Sequence, residues 1–167
     1  MPIVYKGRVF SVEVTLARLP NGQSHEVSIV RHAPSVVLIP MKDEAHVILI
    51  RQYRHTLGRE IWELPAGGVN PGELPEDAAA RECEEEIQLV PQRILRLRGL
   101  FPAPGFCDEE LIFFRVSDFR SPAVNSRHKP DDDEDIHPAT FSVDEARRMA
   151  ERGDIVDLKT AYGLTLI

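Results

Sequence analysis

The chain has 167 residues, 43% of them hydrophobic, and carries 20 Lys and Arg against 27 Asp and Glu for a net charge of −7. That is apolar content for one globular domain with a small appendage. The acidic balance argues against a general nucleic-acid binder, which needs a basic surface to displace phosphate counterions. Apolar runs such as 36–39 and 47–50 are too short to cross a bilayer. Cys83 and Cys107 are too few for a disulfide framework or a cysteine zinc site. The first residues lack the charged head and long apolar body of a secretion signal, so a soluble, cytoplasmic protein with neither membrane nor nucleic acid as partner is expected.

Residues 7–16 are rich in β-branched side chains and roughly alternate, as a strand does. Asn21 and Gly22 follow, a pair suited to a tight hairpin because both turn positions favour positive φ, and residues 25–30 form the returning strand. This hairpin forms a small antiparallel β subdomain or arm over residues 1–36, ahead of a main domain at 37–167. Residues 35–41 and 45–53 are two buried strands joined by a turn at Lys42, Asp43 and Glu44. Residues 64–72, dense in Pro and Gly, are a loop. The clearest helix covers 75–88, with Pro75 in its first turn and Ala78, Ala79 and Ala80 inside it. Strands are expected at 94–100 and 111–116. Residues 121–138, with Pro122, Pro130, Pro138 and an acidic run at 131–135, read as a mobile loop. Ser142 and Glu145 fit a capping box opening a helix that ends near Gly153, and a short helix covers 158–166. No internal repeat is present, and the alternation of strands and helices indicates an α/β or α+β layered domain.

On the helix at 75–88, Glu82, Glu85 and Glu86 fall within one sector of about 100°, while Ala79, Cys83 and Ile87 occupy an adjacent sector that faces a core. Glu84 projects away from the three carboxylates. Like charges at these spacings oppose helix formation by roughly 0.2–0.5 kcal/mol per pair. A bound divalent cation removes that repulsion and takes carboxylate oxygens as hard ligands.

These carboxylates stand in a longer pattern: Gly67, then Glu73, then Arg81 and Glu82, then Glu85 and Glu86, with Gln88 and Leu89 closing it. The pattern resembles the Nudix box, in which glycine, five residues, glutamate, seven residues, Arg-Glu and a later Glu-Glu recur at fixed spacing. One fixed position departs: Gln88 stands where the family has glycine. Glycine suits the left-handed residue that closes a helix, and glutamine there costs about 1 kcal/mol. The departure touches helix termination, not metal ligation. The resemblance implies a Nudix fold, an α/β/α sandwich around a mixed sheet, and hydrolysis of a nucleoside diphosphate derivative with Mg²⁺, or Mn²⁺ in its place. By the same resemblance, Glu82, Glu86, Glu85 and the backbone carbonyl of Ala66 are the metal ligands. Glu85 doubles as a candidate base, Arg81 orients the box carboxylates, and Glu73 stabilises the loop.

The flanking residues resemble the ADP-ribose pyrophosphatase subgroup. Pro104 lies sixteen residues beyond Gln88 and is followed by Gly105 and, at Asp108 and Glu109, acidic residues. In that setting Glu109 binds the terminal ribose. Arg51 and Arg54 resemble the segment that holds the phosphates or ribose, where a guanidinium fork suits phosphate. Trp62 is a candidate for base stacking or for the core. Asp132, Asp133 and Glu134 resemble a loop whose glutamate deprotonates the attacking water, with Glu134 the best positional match and Asp133 the fallback. The N-terminal hairpin matches a segment packed between subunits, which implies a homodimer with the substrate base near its interface. Asp157, Leu158, Lys159 and Thr160 extend the resemblance toward the C-terminus. The substrate expected is ADP-ribose, giving AMP and ribose 5-phosphate. Alternatives are GDP-mannose, NADH or FAD, or a nucleotide-sensing module of Nudix type without catalysis.

Overall fold

The computed structural model describes residues 3–126, 128 and 135–167. Its first three strands, β1 (Ile3–Lys6), β2 (Phe10–Arg18) and β3 (Ser24–His32), form an antiparallel sheet in that order. The strand at the chain's start was not expected. The β2–β3 reversal also differs from the two-residue Asn-Gly turn suggested by the sequence. The Leu19 N–H donates to the Gln23 carbonyl (2.8 Å) and the Gly22 N–H to the Leu19 carbonyl (2.9 Å). Pro20 has its φ fixed near −65° and is suited to the second position of such a turn. Asn21 stays out of the left-handed region, Gly22 alone takes it (φ 86°), and the Asn21 side-chain oxygen accepts from the Gln23 N–H.

The main sheet follows. Strands β4 (Ser35–Asp43), β5 (His46–Arg54), β6 (Arg59–Glu63), β7 (Ala66–Gly68), β8 (Val90–Leu100), β9 (Leu111–Arg120) and β10 (Ile136–Ser142) make seven strands. Their backbone order is β10-β5-β4-β9-β8, with β6 added to β5 and β7 to β4. The β4–β9 pairing is parallel and the others antiparallel, so the sheet is mixed. β4 is buried from Ser35 to Met41, a continuous run as expected of a strand covered on both faces. Val36, Leu38, Ile48, Ile50, Ile112 and Phe114 point to the face covered by helix α1 (Pro75–Ile87). Val37, Ile39, Val47, Leu49 and Phe113 point to the opposite face, covered by α2 (Val143–Glu151) and α3 (Leu158–Gly163) with the 3₁₀ turn Leu164–Leu166. The period of two along each strand divides the core between the two helical layers, an α/β/α sandwich.

Three local findings matter for the site. β7 forms inside the Pro- and Gly-rich stretch read as loop, pairing with Ser35, Val36 and Val37. β10 begins at Ile136, within the stretch read as loop, and holds Pro138 opposite Ile50. An edge strand tolerates a proline because one row of its backbone groups needs no partner. α1 ends at Gln88 in the left-handed conformation (φ 55°, ψ 38°), and the Gln88 Nε2 donates to the carbonyls of Glu84 (2.7 Å) and Glu85 (3.2 Å). Those bonds supply donors that glycine lacks and offset a conformational cost of about 1 kcal/mol. Among the described residues no helix is long and apolar enough to cross a membrane.

Candidate active site

The floor of the site is the contact between α1 and β7. Ala78, Ala79, Cys83 and Ile87 bury one side of the helix, and Glu82 and Glu86 on the adjoining side meet the strand. Gly67 faces Glu82 so closely that a Cβ there would collide with the Glu82 carboxyl group. The Ala66 N–H donates to Glu86 Oε2 (2.9 Å), tying the second carboxylate to the same strand. Glu84 is buried as well but takes no part in these bonds. The Cys83 thiol is pushed up to about 12 by burial and by the charges of Glu86 and Glu84, so it stays a protonated core side chain.

Arg81 gathers the rest. Its Nε and Nη2 donate to Glu73 (2.8 and 2.9 Å), its Nη1 to Glu82 (2.6 Å) and Glu85 (2.8 Å), and Nη2 also reaches the Gly68 carbonyl (2.8 Å). The Glu73 hydrogen bond, followed by the neighbouring carboxylates, raises the guanidinium well above its ordinary value against the opposing effect of burial. Glu73 is held below the usual carboxylate range chiefly by Arg81, and its Oε2 closes the loop by accepting from the Asn70 N–H (2.9 Å). Among the described residues no three potential ligands converge on one point. The donor set nevertheless suits a hard divalent cation: the Glu82 carboxylate lies against Gly67, where only hydrogen leaves it room, Glu86 is tied to the Ala66 N–H, and Glu85 is joined to Glu82 through Arg81. Gly67→Ala is expected to lower turnover by about two orders of magnitude, because the displaced Glu82 carboxylate loses its placement. Stability changes little, since the colliding group is the end of a flexible side chain. Steady-state kinetics beside a thermal melt check this, and full turnover would refute it.

A second layer fixes β6 and β7 from behind. Glu63 is only 1% exposed and receives Arg54 through both oxygens (2.5 and 2.8 Å) and Lys159 as well. Asp157, the N-cap of α3, accepts from Lys159 Nζ, the Thr160 N–H and the Thr160 hydroxyl. Thr160 Oγ1 in turn accepts from the Leu64 N–H (2.7 Å). The sequence marked Arg54 and residues 157–160 but not their meeting at Glu63. A carboxylate at an inward position of a short strand, two residues after Ile61, was the available signal.

On the opposite flank, Glu109 Oε1 accepts from Ser35 Oγ (2.8 Å) and lies 3.6 Å from His32 Nδ1. Ser35 pairs with Gly68, which places Glu109 beside the box loop. Pro104 and Gly105 are exposed on the loop before it. That loop bonds to β3 through the Val30 and Asp108 N–H groups, and Arg31 joins Glu13 to Asp108 (2.8 and 2.9 Å). The N-terminal sheet is thus fastened to the segment that carries Pro104 and Glu109. Arg51 is exposed, 3.4 Å from Glu60 and above the Trp62 ring; Trp62 is half-buried in edge contact with Phe141. His128 Nδ1 lies 3.5 Å from Glu85 Oε1. Glu134 and Asp133, the candidate loop bases, fall outside the described residues.

A two-sided sheet with a box helix packed on a glycine strand defines a class, and comparison with known proteins agrees. The NUDIX domain profile matches residues 31–160. An ADP-ribose pyrophosphatase of Bacillus subtilis is 30% identical over 96% of this chain and 86% of its own length. One of Mycobacterium tuberculosis is 33% identical over 98% and 79%, and a methanol dehydrogenase activator of Bacillus methanolicus is 34% identical over 96% and 86%. The crystal structure of an ADP compounds hydrolase superposes with a TM-score of 0.83 at 22% identity, covering 99% of this chain and 88% of that one. The chain belongs to the Nudix hydrolase family, in its ADP-ribose pyrophosphatase-like subgroup, and its activity is hydrolysis of a pyrophosphate bond.

Proposed function

We propose that the protein hydrolyses ADP-ribose to AMP and ribose 5-phosphate, with Mg²⁺, or Mn²⁺ in its place, held by Glu82, Glu85, Glu86 and the Ala66 carbonyl. The observation that carries this reading is the packing of Glu82 against Gly67 and of Glu86 against Ala66 of one strand, with Glu85 joined to Glu82 by Arg81. A divalent cation bound there polarises phosphoryl oxygens, lowers the pKa of water and neutralises leaving-group charge. Arg81 orients Glu82 and Glu85. Arg54, fixed by Glu63 through Nε and Nη2 and near enough to feel the charge of Glu86, aligns a phosphate from that fixed position, with Arg51 further out on the same strand. Pro104 and Gly105 shape the loop that presents Glu109, whose carboxylate accepts ribose hydroxyls beside Ser35. The proton of the attacking water goes to Glu85 or to Glu134.

A second copy of the chain completes the reading. Ile3, Val4, Tyr5, Val9 and Leu16, in and beside the N-terminal sheet, are all more than half exposed, apolar surface that a second copy would cover. Sedimentation as a single chain would remove the dimer from this proposal.

The test of function is a substrate panel of ADP-ribose, GDP-mannose, NADH and FAD in H₂¹⁸O with each metal. ADP-ribose should show the highest kcat/KM, strict metal dependence and label in one product. Preference for another member moves the substrate. Tight ADP-ribose binding with no hydrolysis in either metal makes the protein a sensor instead.

A further inference from the structure

Gly67 and Gly68 face opposite sides of β7, as successive residues of a strand do. The side of Gly67 is filled by the Glu82 carboxyl group. The side of Gly68 is open: the residue is exposed, and a Cβ added to it would meet nothing within 4 Å. Glycine inside a strand lowers stability relative to alanine, and no crowding by the protein itself requires one here. Space left beside a reaction site in this way is space for what the site binds.

The wall of this open place is polar and fixed. Ser35 pairs with Gly68 across the ladder, so the two point to the same face. Ser35 is 8% exposed, and its hydroxyl donates to Glu109 Oε1 (2.8 Å). That bond commits one carboxylate oxygen. Oε2 takes no hydrogen bond or ion pair among the described residues, and the Glu109 side chain is 24% exposed. β7 pairs with β4 alone among the described strands, which leaves its other edge open. A molecule held by Glu82 and Glu86 on one face can pass over that edge to Gly68 on the other. Arg81 joins the two places, bonded to both Glu82 and the Gly68 carbonyl.

We propose that the open place over Gly68 seats the non-nucleotide sugar and admits a hexose, so that nucleoside diphosphate hexoses are hydrolysed beside ADP-ribose. The proposal rests on the reading of the site as a nucleoside diphosphate hydrolase. Ser35 is the positioning residue: it holds Glu109 so that Oε2 faces the sugar hydroxyls as acceptor. A hexopyranose adds a ring atom and an exocyclic carbon to the bulk of a ribose, and the side chain missing at Gly68 leaves room for them. The chemical step is the same for both sugars. Water adds to one phosphorus and the bridging P–O bond breaks. From an ADP-hexose, AMP and a hexose 1-phosphate leave, one keeping the oxygen of water and the other the bridging oxygen, and the protons of the water pass to the solvent.

The test compares ADP-glucose with ADP-ribose. Wild-type kcat/KM for the two should agree within about tenfold. Gly68→Val should lower the value for ADP-glucose about tenfold more than that for ADP-ribose, through KM, while its Tm holds or rises because valine suits a strand. Ser35→Ala should raise KM for both sugars and add nothing in a Glu109→Gln background, as expected of a residue that acts through Glu109. A wild-type preference for ADP-ribose above about a hundredfold, or a Gly68→Val variant that loses both sugars alike or neither, overturns the proposal. Isothermal titration in EDTA, where nothing turns over, separates the seat from the hydrolase reading. There Gly68→Val should weaken ADP-glucose about tenfold and leave ADP within about twofold. That pattern in a protein that hydrolyses neither sugar compound would sink the hydrolase reading and leave the seat standing; wild-type affinity for ADP-glucose in Gly68→Val would remove the seat.

Discussion

Glu82→Gln and Glu86→Gln should each lower kcat by about three orders of magnitude, equivalent to about 4 kcal/mol in the barrier. The same variants should melt at or slightly above the wild-type temperature when no metal is present. Glu82, Glu85 and Glu86 are like charges on one helical sector, and removing one relieves roughly 0.2–0.5 kcal/mol per pair. Arg81 loses little in Glu82→Gln because it keeps Glu73, Glu85 and the Gly68 carbonyl. In Glu86→Gln the amide oxygen still accepts from the Ala66 N–H. Adding Mg²⁺ should raise the wild-type Tm by linkage and leave both variants nearly unmoved. Paired melts with and without Mg²⁺, beside steady-state rates, test both halves. Turnover within tenfold of wild type in either variant would refute its carboxylate's assignment to the metal.

These carboxylates were legible because their spacing is itself the chemistry: i, i+3 and i+4 fix one helix face whatever surrounds it. The two-sided core was legible in the same way, from the fully apolar run of β4 beside the turn at Lys42, Asp43 and Glu44. What escaped depends on neighbours distant in sequence. The hairpin turn is the local exception: Pro20 and Asn21 take its two central positions and Gly22 the one after, where Asn21 and Gly22 alone suggested a two-residue turn. Pro138 was counted as a breaker, yet it sits in β10, on an edge where a proline does no harm. Three glycines and prolines between Leu64 and Gly68 suggested loop, but pairing with β4 makes a strand of Ala66–Gly68. Arg54 was read as a phosphate ligand with no sign that Glu63 already holds it. The buried, unpartnered side-chain oxygen of Gln52 is visible only once Ile61 and Ile136 are placed on either side of its strand.

Glu63→Ala should destabilise the protein by about 3–5 kcal/mol at neutral pH, the usual result of removing one partner from a buried ion pair. Glu63 is the shared acceptor for Arg54 and Lys159, and its loss leaves two cations facing a cavity with only the more distant charges of Asp157 and Glu86 to offset Arg54 and the Asp157 bond to hold Lys159. Lys159→Met should do less harm, because Arg54 keeps both Glu63 oxygens. The pH dependence carries a definite sign. Burial pushes the Glu63 carboxyl up, but the Arg54 hydrogen bonds and the charge of Lys159 outweigh it and hold the group below its ordinary value. Its contribution is therefore complete above the unfolded carboxyl pKa of about 4.3 and is lost as pH falls through that value toward the lower folded one. Wild-type stability should drop steeply below about pH 4, and the Glu63→Ala variant less steeply, so the gap between them narrows in acid. The consequence for the site follows from the chain of bonds: Asp157 and Thr160 hold the Leu64 N–H, and Leu64 leads into the strand that presents Ala66 and Gly67. Loss of Glu63 releases Arg54 and loosens that strand, so kcat/KM should fall together with stability. Urea titrations at pH 7 and pH 4 measure the first effect and initial rates the second; a destabilisation below about 1 kcal/mol at pH 7 would show that the network contributes little.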